Sequence, residues 1–124
     1  EAIDDFAKEA ARIEKNRQET VLEVERTRVE SSGRHPRAVA KLKKINDVLI
    51  AVERDFADDR GLRGRPWYRH HIYAPGFYTG YAAQPLPDFR QGLDDRNGNN
   101  AREALERIVE LLKRATETLR KGRE

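Results

Sequence analysis

Residues 38–56 read AVAKLKKINDVLIAVERDF, and this stretch decides the fold. Its apolar residues alternate between spacings of four and three, the heptad pattern of an α-helix that buries one face. Proline suits the first helical position, so the helix is predicted to begin at His35-Pro36 and to end by Gly61. Its apolar seam consists of Ala38, Leu42, Ile45, Leu49, Val52 and Phe56.

The same periodicity extends toward the N-terminus. Apolar residues follow at spacings of three and four from Ile3 through Ile13 to Val24, which predicts a helix over residues 3–29 with a polar midsection. Ser31-Ser32-Gly33 supplies the stop, because glycine suits the left-handed position after a helix C-terminus.

A third helix is predicted near the C-terminus. Asn97-Gly98-Asn99-Asn100 is a turn cluster, and Asn100 with Glu103 three residues later matches a capping box. We expect this helix over residues 101–121, closed by Gly122. Its seam consists of Ala101, Leu105, Ile108, Leu112, Ala115 and Leu119.

Length and composition suit a small helical domain. The chain has 124 residues, of which 37% are hydrophobic and 38% charged, as expected for long amphipathic helices with solvated outer faces. The predicted fold is all-α: an up-down bundle of three long helices with a long irregular, aromatic-rich connection between helices 2 and 3. Residues 1–124 are taken as one domain, and the missing starting Met indicates a piece of a longer protein.

Some apolar residues lie outside the helical seams. Such seams more often build the core of a monomer than an interface between copies. Leu22, Ile50 and Leu111 are the positions where we expect a surface patch that needs a partner.

Charge and cysteine content exclude several function classes. The chain has 25 Lys and Arg residues and 22 Asp and Glu residues, and the resulting formal charge of only +3 argues against nucleic acid as a partner. The absence of cysteine excludes disulfides and thiolate metal sites. No stretch approaches the roughly 18 apolar residues of a membrane span, so we expect no direct membrane contact.

The connection between the second and third helices is unusually long. Residues 60–99 hold four of the five prolines and seven of the nine aromatic residues. Connections in helical bundles typically take about 2 to 8 residues, so this segment indicates a binding loop or a lid.

Two interpretations of this segment stay open. Arginines interleave with aromatic residues, which is the composition of a platform for single-stranded nucleic acid. Alternatively, the rings pack the segment onto the bundle while the arginines pair with helix acids or with a partner domain. The residues concerned are Arg60, Arg63, Arg65, Arg69, Trp67, Tyr68 and Tyr73.

No catalytic or metal-binding pattern is apparent. His70 and His71 are adjacent, so in an extended segment they point to opposite faces and do not share a metal ion. One histidine is expected to pack or hydrogen-bond locally, and the other to face a neighbouring domain or water. We predict no metal ligand and no cofactor in this chain.

Nucleophilic and acid–base chemistry also lack candidates. Ser31 and Ser32 are the only serines, and they lie in no nucleophile elbow. Asp58-Asp59 and Asp94-Asp95 are interpreted as caps and turns at the ends of elements. We therefore predict no catalytic residue, and the chain is not expected to be an enzyme.

One string of residues is far more specific than a short motif. It runs Arg65-Pro66-Trp67-Tyr68-Arg69-His70, then, after His71, Ile72-Tyr73-Ala74-Pro75. Asn46-Asp47, Val52-Glu53-Arg54 and Arg60-Gly61-Leu62 precede it. This order resembles the transferrin receptor-like dimerisation domain of the glutamate carboxypeptidase II and transferrin receptor family of zinc peptidase homologues. The resemblance covers residues 38–119, and the first helix matches only in length and placement.

The resemblance implies a role in assembly. It implies a bundle that closes the C-terminus of a larger zinc exopeptidase, packs on the peptidase domain and forms much of a homodimer interface. Zinc and the catalytic acid would belong to that peptidase domain, and the compartment would be extracellular, cell-surface or periplasmic. The interface and packing residues would include Arg65, Trp67, Tyr68, Arg69, His70 and Tyr73.

The resemblance also implies one contribution to a substrate pocket. In the family, a loop after the Tyr-Ala-Pro element carries a Lys-Tyr pair that contacts the terminal glutamate of the substrate. Tyr81 matches that tyrosine, whereas Gly80 stands where the lysine would be. A neutral hydroxyl still donates a hydrogen bond, but charged hydrogen bonds are roughly twice as strong, so a preference for glutamate is in doubt.

Overall fold

The computed structural model describes residues 1–30, 36–78 and 80–122. Over these residues the chain forms four α-helices and one antiparallel pair of short strands. No helix in this part of the chain is both long and apolar enough to cross a membrane. The elements are α1 (Ala2–Glu30), α2 (Pro36–Asp55), β1 (Tyr73–Pro75), β2 (Ala83–Pro85), α3 (Pro87–Asp94) and α4 (Gly98–Lys121).

The predicted fold class is correct in part. The three long helices of the sequence prediction correspond to α1, α2 and α4, and the described chain is mostly helical. The connection between α2 and α4 is not irregular throughout, because it contains a hairpin and the short helix α3. The described chain is thus mostly helical, with a small two-stranded sheet and a fourth helix that the sequence did not predict. Strands of three residues are too short to show a period of two in the sequence. The up-down arrangement stays a prediction.

One compact unit consists of Glu1–Val52 and Ala115–Glu124. The Arg12 guanidinium donates to the Glu9 carboxylate (2.8 Å) and to the carbonyl oxygen of Leu119 (3.0 Å). Thr20 is buried in the polar midsection of α1, and its hydroxyl donates to the carbonyl of Asn16. The buried hydrophobic residues of this unit are Ile13, Ala38, Ile45, Val52, Ala115 and Leu119.

The seams predict burial well, but the expected surface patch is corrected at one position. Leu22 and Ile50 are exposed as expected, at 64% and 53%. Leu111 is buried instead, and Leu105 of the predicted seam is partly exposed. The buried face of α4 is therefore rotated toward Ala104 and Leu111. The predicted stop at Ser31-Ser32-Gly33 lies outside the described residues.

The second compact unit is Glu53–Arg114. α2 ends at Asp55 rather than near Gly61, because the chain then joins His70 in an isolated bridge through Ala57. The Arg114 guanidinium donates to the carbonyl oxygen of Asp55, one of the acceptors that a helix end leaves without an intrahelical partner, and to the carbonyl oxygen of Ala57 just beyond the helix.

A tight turn follows the end of α2. The backbone N–H of Leu62 donates to the carbonyl of Tyr68 (2.8 Å), and that of Asp58 donates to the carbonyl of Arg69 (2.9 Å). Gly61 has a φ of +67°, and a Cβ there would overlap the backbone of Pro66. The turn therefore requires glycine at this position.

α3 and α4 are joined by a short turn with hydrogen-bonded ends. The N–H groups of Arg96 and Asn97 donate to the carbonyls of Leu93 and Gly92, a Schellman motif with Arg96 at a φ of +53°. The side chain of Asn97 accepts the N–H of Asn100 at 3.1 Å, so Asn97 is the N-cap of α4. The predicted cap at Asn100 is wrong by three residues.

Candidate functional site

The β1–β2 hairpin carries a loop at its tip, and we name its described residues, 76–78 and 80–82, the Tyr81 loop. The N–H of Gly76 donates to the carbonyl of Ala82 (3.1 Å), and the N–H of Gly80 donates to the carbonyl of Gly76 (3.0 Å). These bonds close the loop at the tip of the hairpin. The strand register pairs Tyr73 with Pro85, Ala74 with Gln84 and Pro75 with Ala83.

Tyr81 is fully exposed at the tip of this hairpin. Gly80, immediately before it, has a φ of +67°, and a Cβ built there meets no atom within 4 Å. A side chain at position 80 would therefore have space but would sit in a conformation that favours glycine. The structure thus gives a backbone reason for glycine at the position where the resemblance implies a lysine.

Arg65 lies inside the second unit, with only 6% of its surface exposed. Its Nη1 donates to the carbonyl oxygen of Pro75 at 2.5 Å. Its guanidinium carbon lies 5.3 Å from the ring centre of Tyr68 and 5.4 Å from that of Phe77, which are cation–π distances. Nε and Nη2 of Arg65 are buried and have no hydrogen-bond partner among the described residues. Arg65 thus contacts Tyr68 and the β1–β2 hairpin, and its side chain is not exposed to solvent.

Five aromatic side chains between residues 67 and 81 are exposed, and we name them the aromatic surface. The ring centres of Phe77 and Tyr78 lie 5.1 Å apart in an edge-to-face pair. Trp67 lies 6.2 Å from the half-buried Tyr68. Large exposed aromatic groups of this kind are typical of interfaces. The members of the surface are Trp67, Tyr73, Phe77, Tyr78 and Tyr81.

His70 connects the end of α2 to the start of the hairpin. Its Nδ1 accepts the N–H groups of Ile72 (3.3 Å) and Tyr73 (3.2 Å), so in the neutral ring the proton is on Nε2. Nε2 lies 2.9 Å from the Glu53 carboxylate. His70 therefore has the local hydrogen-bonding role that the sequence predicted for one of the two histidines.

His71 is almost completely buried, with 3% of its surface exposed. Its backbone N–H donates to the carbonyl of Phe56, while its Nε2 has no hydrogen-bond partner among the described residues. Burial lowers the pKa of His71 below its ordinary value of 6.5. It packs inside the domain rather than facing water, and so differs from the second role predicted for the histidine pair.

The arginines of the nucleic-acid interpretation have partners within the chain. Arg60 binds the carboxylates of Asp58 (2.5 Å) and Glu110 (3.3 Å). Arg63 pairs with Glu103, and Arg69 with Asp59 at 3.1 Å. With Arg65 buried as well, this geometry favours the packing interpretation over a phosphate-binding platform.

A cavity of about 350 Å³ lies between the turn after α2 and the first half of α4. Both oxygens of Asp88 accept the backbone N–H of Arg63, and the Arg63 side chain pairs with Glu103. Arg107 donates to the carbonyl of Gly61 at 3.4 Å. The charged groups of the cavity wall are thus engaged with one another and with the turn.

Metal chemistry has no donor set in the described ranges. Within them, no group of three or more His, Cys, Asp or Glu side chains is close enough to bind a metal ion together. These residues do not fit a zinc site. Ser31 and Ser32 fall outside the described residues.

Two acids were underestimated by the sequence interpretation. Asp58, expected as a solvated cap, is 8% exposed and binds the Arg60 backbone and side chain. Asp95 accepts the hydroxyl of Tyr78 at 2.5 Å and so fastens the Tyr81 loop to the end of α3. The spacing in the sequence gives no signal for the contact between Tyr78 and Asp95, because only the fold brings these residues together. The bond from the Arg60 N–H to Asp58 is local and matches the turn that the sequence predicts there.

A family model described as the transferrin receptor-like dimerisation domain matches residues 1–120. The match includes the helices, the hairpin and the Tyr81 loop, and so confirms the family resemblance on nearly the whole chain.

Several curated proteins are similar to the chain. A probable glutamate carboxypeptidase of Arabidopsis thaliana is 34% identical over 92 residues, which cover 68% of this chain. A second one from the same plant is 31% identical over 80 residues, or 64% of this chain. An inactive zinc metalloprotease of Schizosaccharomyces pombe is 32% identical over 90 residues, or 73% of this chain. The chain spans 11% to 12% of the length of these relatives.

Proposed function

Since the chain belongs to the transferrin receptor-like dimerisation domain family, we propose that it is a non-catalytic homodimerisation domain of a zinc carboxypeptidase homologue. The family match over residues 1–120 carries this proposal. The small share of the relatives' length that the chain spans supports a larger parent protein. In this proposal residues 1–124 are one domain in the C-terminal part of that parent, and zinc belongs to the parent's peptidase domain.

Exposed apolar residues on α2 support a surface for a second copy of the chain. Val39 and Ile50 are both more than half exposed. They lie on one face of the helix, because eleven residues complete about three turns. Burying such side chains against a partner is favourable, at about 1.5–3 kcal/mol for each large aliphatic group.

Co-purification of two differently tagged copies of the chain tests the dimer and this surface together. Wild-type copies are expected to co-purify, and Ile50→Glu to reduce the recovered partner strongly. Lys44→Gln is the matched control, since Lys44 is exposed on α2 about 120° around the helix from Ile50. Wild-type copies that never co-purify would contradict the homodimer; equal loss in both variants would contradict the α2 surface.

The aromatic surface is proposed to pack on the peptidase domain of the parent. Trp67 and Tyr73 supply large exposed area, and the Arg69 and His70 side chains are held at its edge by Asp59 and Glu53. Aromatic side chains with a polar rim are typical of interface cores. Tyr68 and the buried Arg65 support this surface from beneath.

Tyr81 is proposed to lend its hydroxyl to the substrate pocket of the parent. Its complete exposure at a hairpin tip leaves the hydroxyl free to reach a group outside this chain. The hydroxyl can donate to a substrate carboxylate, but without a cation at position 80 the loop supplies no compensating charge, so we do not expect it to select a glutamate side chain. Tyr81→Phe in the full parent is expected to raise KM with kcat little changed; an unchanged KM would contradict this role.

A second candidate is a parent without peptidase activity. The similar protein of Schizosaccharomyces pombe is named an inactive zinc metalloprotease, which favours a receptor-like scaffold as the alternative. Zinc content and peptide hydrolysis by the full parent distinguish the two. Bound zinc with hydrolysis supports the peptidase, whereas a zinc-free, inactive parent supports the scaffold.

A further inference from the structure

Within the part of the chain that the structure describes, two backbone hydrogen bonds close the Tyr81 loop, and Tyr81 itself is fully exposed. A side chain without packing contacts takes its position from the backbone that carries it. Exposed loops of this kind open readily unless other elements hold them.

Arg65 restrains the first part of the loop from inside. It donates to Pro75 at the end of β1, and its guanidinium faces the ring of Phe77, the second loop residue. A buried guanidinium is unfavourable unless its contacts compensate for the lost water. The contacts of Arg65 are directed to Tyr68, to Pro75 at the end of β1 and to Phe77 in the loop, so part of its compensation depends on the loop being in place.

Asp95 restrains the next residue from outside. Its carboxylate accepts the Tyr78 hydroxyl at 2.5 Å, a charge-assisted hydrogen bond. The role of Asp95 in ending α3 uses its backbone N–H, which donates to the carbonyl of Gln91. Its side chain is therefore available for the loop without a cost to the helix end.

We propose that Arg65 and Asp95 are positioning residues that hold the Tyr81 loop in one conformation, through Pro75 and Phe77 on one side and Tyr78 on the other. The bonds from Gly76 to Ala82 and from Gly80 to Gly76 pass this restraint to the second half of the loop. The meaning of the loop for a substrate rests on the proposed function; its restraint does not.

Hydrogen exchange of the Gly76 and Gly80 amides, measured by NMR on the full chain, tests the proposal. Both amides donate within the loop, so their exchange reports its opening. Tyr78→Phe and Asp95→Ala are expected to accelerate the exchange of both amides about tenfold, because each substitution removes one hydrogen bond to a charged group. The amide of Leu112, in α4, is expected to exchange at an unchanged rate. Arg65→Lys keeps the positive charge but loses the forked N–H donors of the guanidinium. It is expected to accelerate hydrogen exchange of the same two amides.

Asp94→Ala is the matched control for Asp95. Asp94 is the neighbouring acid; it pairs with Arg90 at 3.3 Å and, among the described residues, makes no hydrogen bond to the loop. A spectroscopic titration adds a readout that a purely structural role would not change. The hydrogen bond to Asp95 raises the pKa of Tyr78 above its ordinary value of 10.0, and Asp95→Ala should return it toward that value.

The outcomes separate this inference from the proposed function. Unprotected loop amides in the wild type, or unchanged exchange in Tyr78→Phe and Asp95→Ala, would overturn the positioning role. Equal acceleration by Asp94→Ala would overturn it as well. Tyr81→Phe is expected to leave the loop exchange unchanged, so a failed pocket role for Tyr81 would appear only in the kinetics of the parent.

Discussion

The carboxylate of Asp58 accepts both the backbone N–H and the guanidinium of Arg60, at distances of 2.5 to 3.0 Å. Asp58 is buried, and its backbone carbonyl also accepts the N–H of Gly61. One side chain therefore fixes the turn that leads from α2 to the hairpin. The same contacts hold the pKa of Asp58 well below its ordinary value of 3.8, with the side-chain hydrogen bond from Arg60 as the main cause.

Replacement of Asp58 should destabilise the fold. Asp58→Ala leaves donors of the turn without their acceptor, so we expect a loss of about 1–3 kcal/mol in the free energy of unfolding, measured by urea denaturation. Asp59→Ala is the matched control, because Asp59 is exposed and pairs only at the surface with Arg69. Equal effects of the two substitutions would contradict the role of Asp58.

The pH dependence of the wild type follows from the same pair. A carboxylate with a depressed pKa in the folded state stabilises fully above its unfolded value, and this contribution is lost as the pH falls below 3.8. Denaturation midpoints at falling pH should therefore decline less steeply below 3.8 in Asp58→Asn than in the wild type. Parallel pH profiles would show that Asp58 is not linked to folding.

His71 predicts a second pH dependence at higher pH. Burial lowers its pKa in the folded state, so the unfolded chain binds the proton more tightly. Stability should be complete above 6.5 and fall as the pH drops below this value. His71→Phe removes the titrating group and should flatten the thermal unfolding profile between about pH 7 and pH 5. A profile that keeps its slope in this variant would assign the effect to other groups.

Two glycines with positive φ allow the cost of the left-handed backbone conformation to be separated from the cost of a steric overlap. Gly61→Ala adds a Cβ that overlaps the Pro66 backbone, whereas at Gly64 the nearest atom is Cε2 of Phe77 at 3.8 Å. Gly64→Ala should cost about 1–2 kcal/mol for the left-handed conformation alone. Gly61→Ala should cost clearly more, because the turn must shift. Calorimetric unfolding compares them, and similar losses would mean that the turn relaxes around residue 61.

The cap of α4 gives a test of the corrected boundary. Asn97→Ala removes the acceptor of the Asn100 N–H and should destabilise the fold by about 0.5–2 kcal/mol. Asn100→Ala should have a smaller effect in the same denaturation experiment. The reverse order would restore the cap that the sequence first indicated.

The long helices were predictable because their burial repeats. Alternating spacings place Ile45 and Val52 of α2, or Ala115 and Leu119 of α4, on one side of a helix, and the structure buries all four. Helix ends were harder to predict. Asn97 and Asn100 are chemically equivalent capping residues, and only the hydrogen bond distinguishes them.

The candidate site was predictable only as a segment. The string from Arg65 to Pro75 identified the family, but a long arginine side chain suits an outer interface and a buried cation–π contact equally well in sequence. Its burial under Tyr68 and Phe77 depends on the hairpin, whose three-residue strands show no readable period. Contacts between residues far apart in sequence, such as Tyr78 with Asp95, require the fold.

The mass of the chain in solution tests the homodimer most directly. Light scattering coupled to size-exclusion chromatography, at rising protein concentration, should give twice the monomer mass of 14.4 kDa. Ile50→Glu should move the change from monomer to dimer mass to higher protein concentration, and Lys44→Gln should leave that concentration unchanged. A mass of 14.4 kDa at every concentration would contradict self-association by this chain.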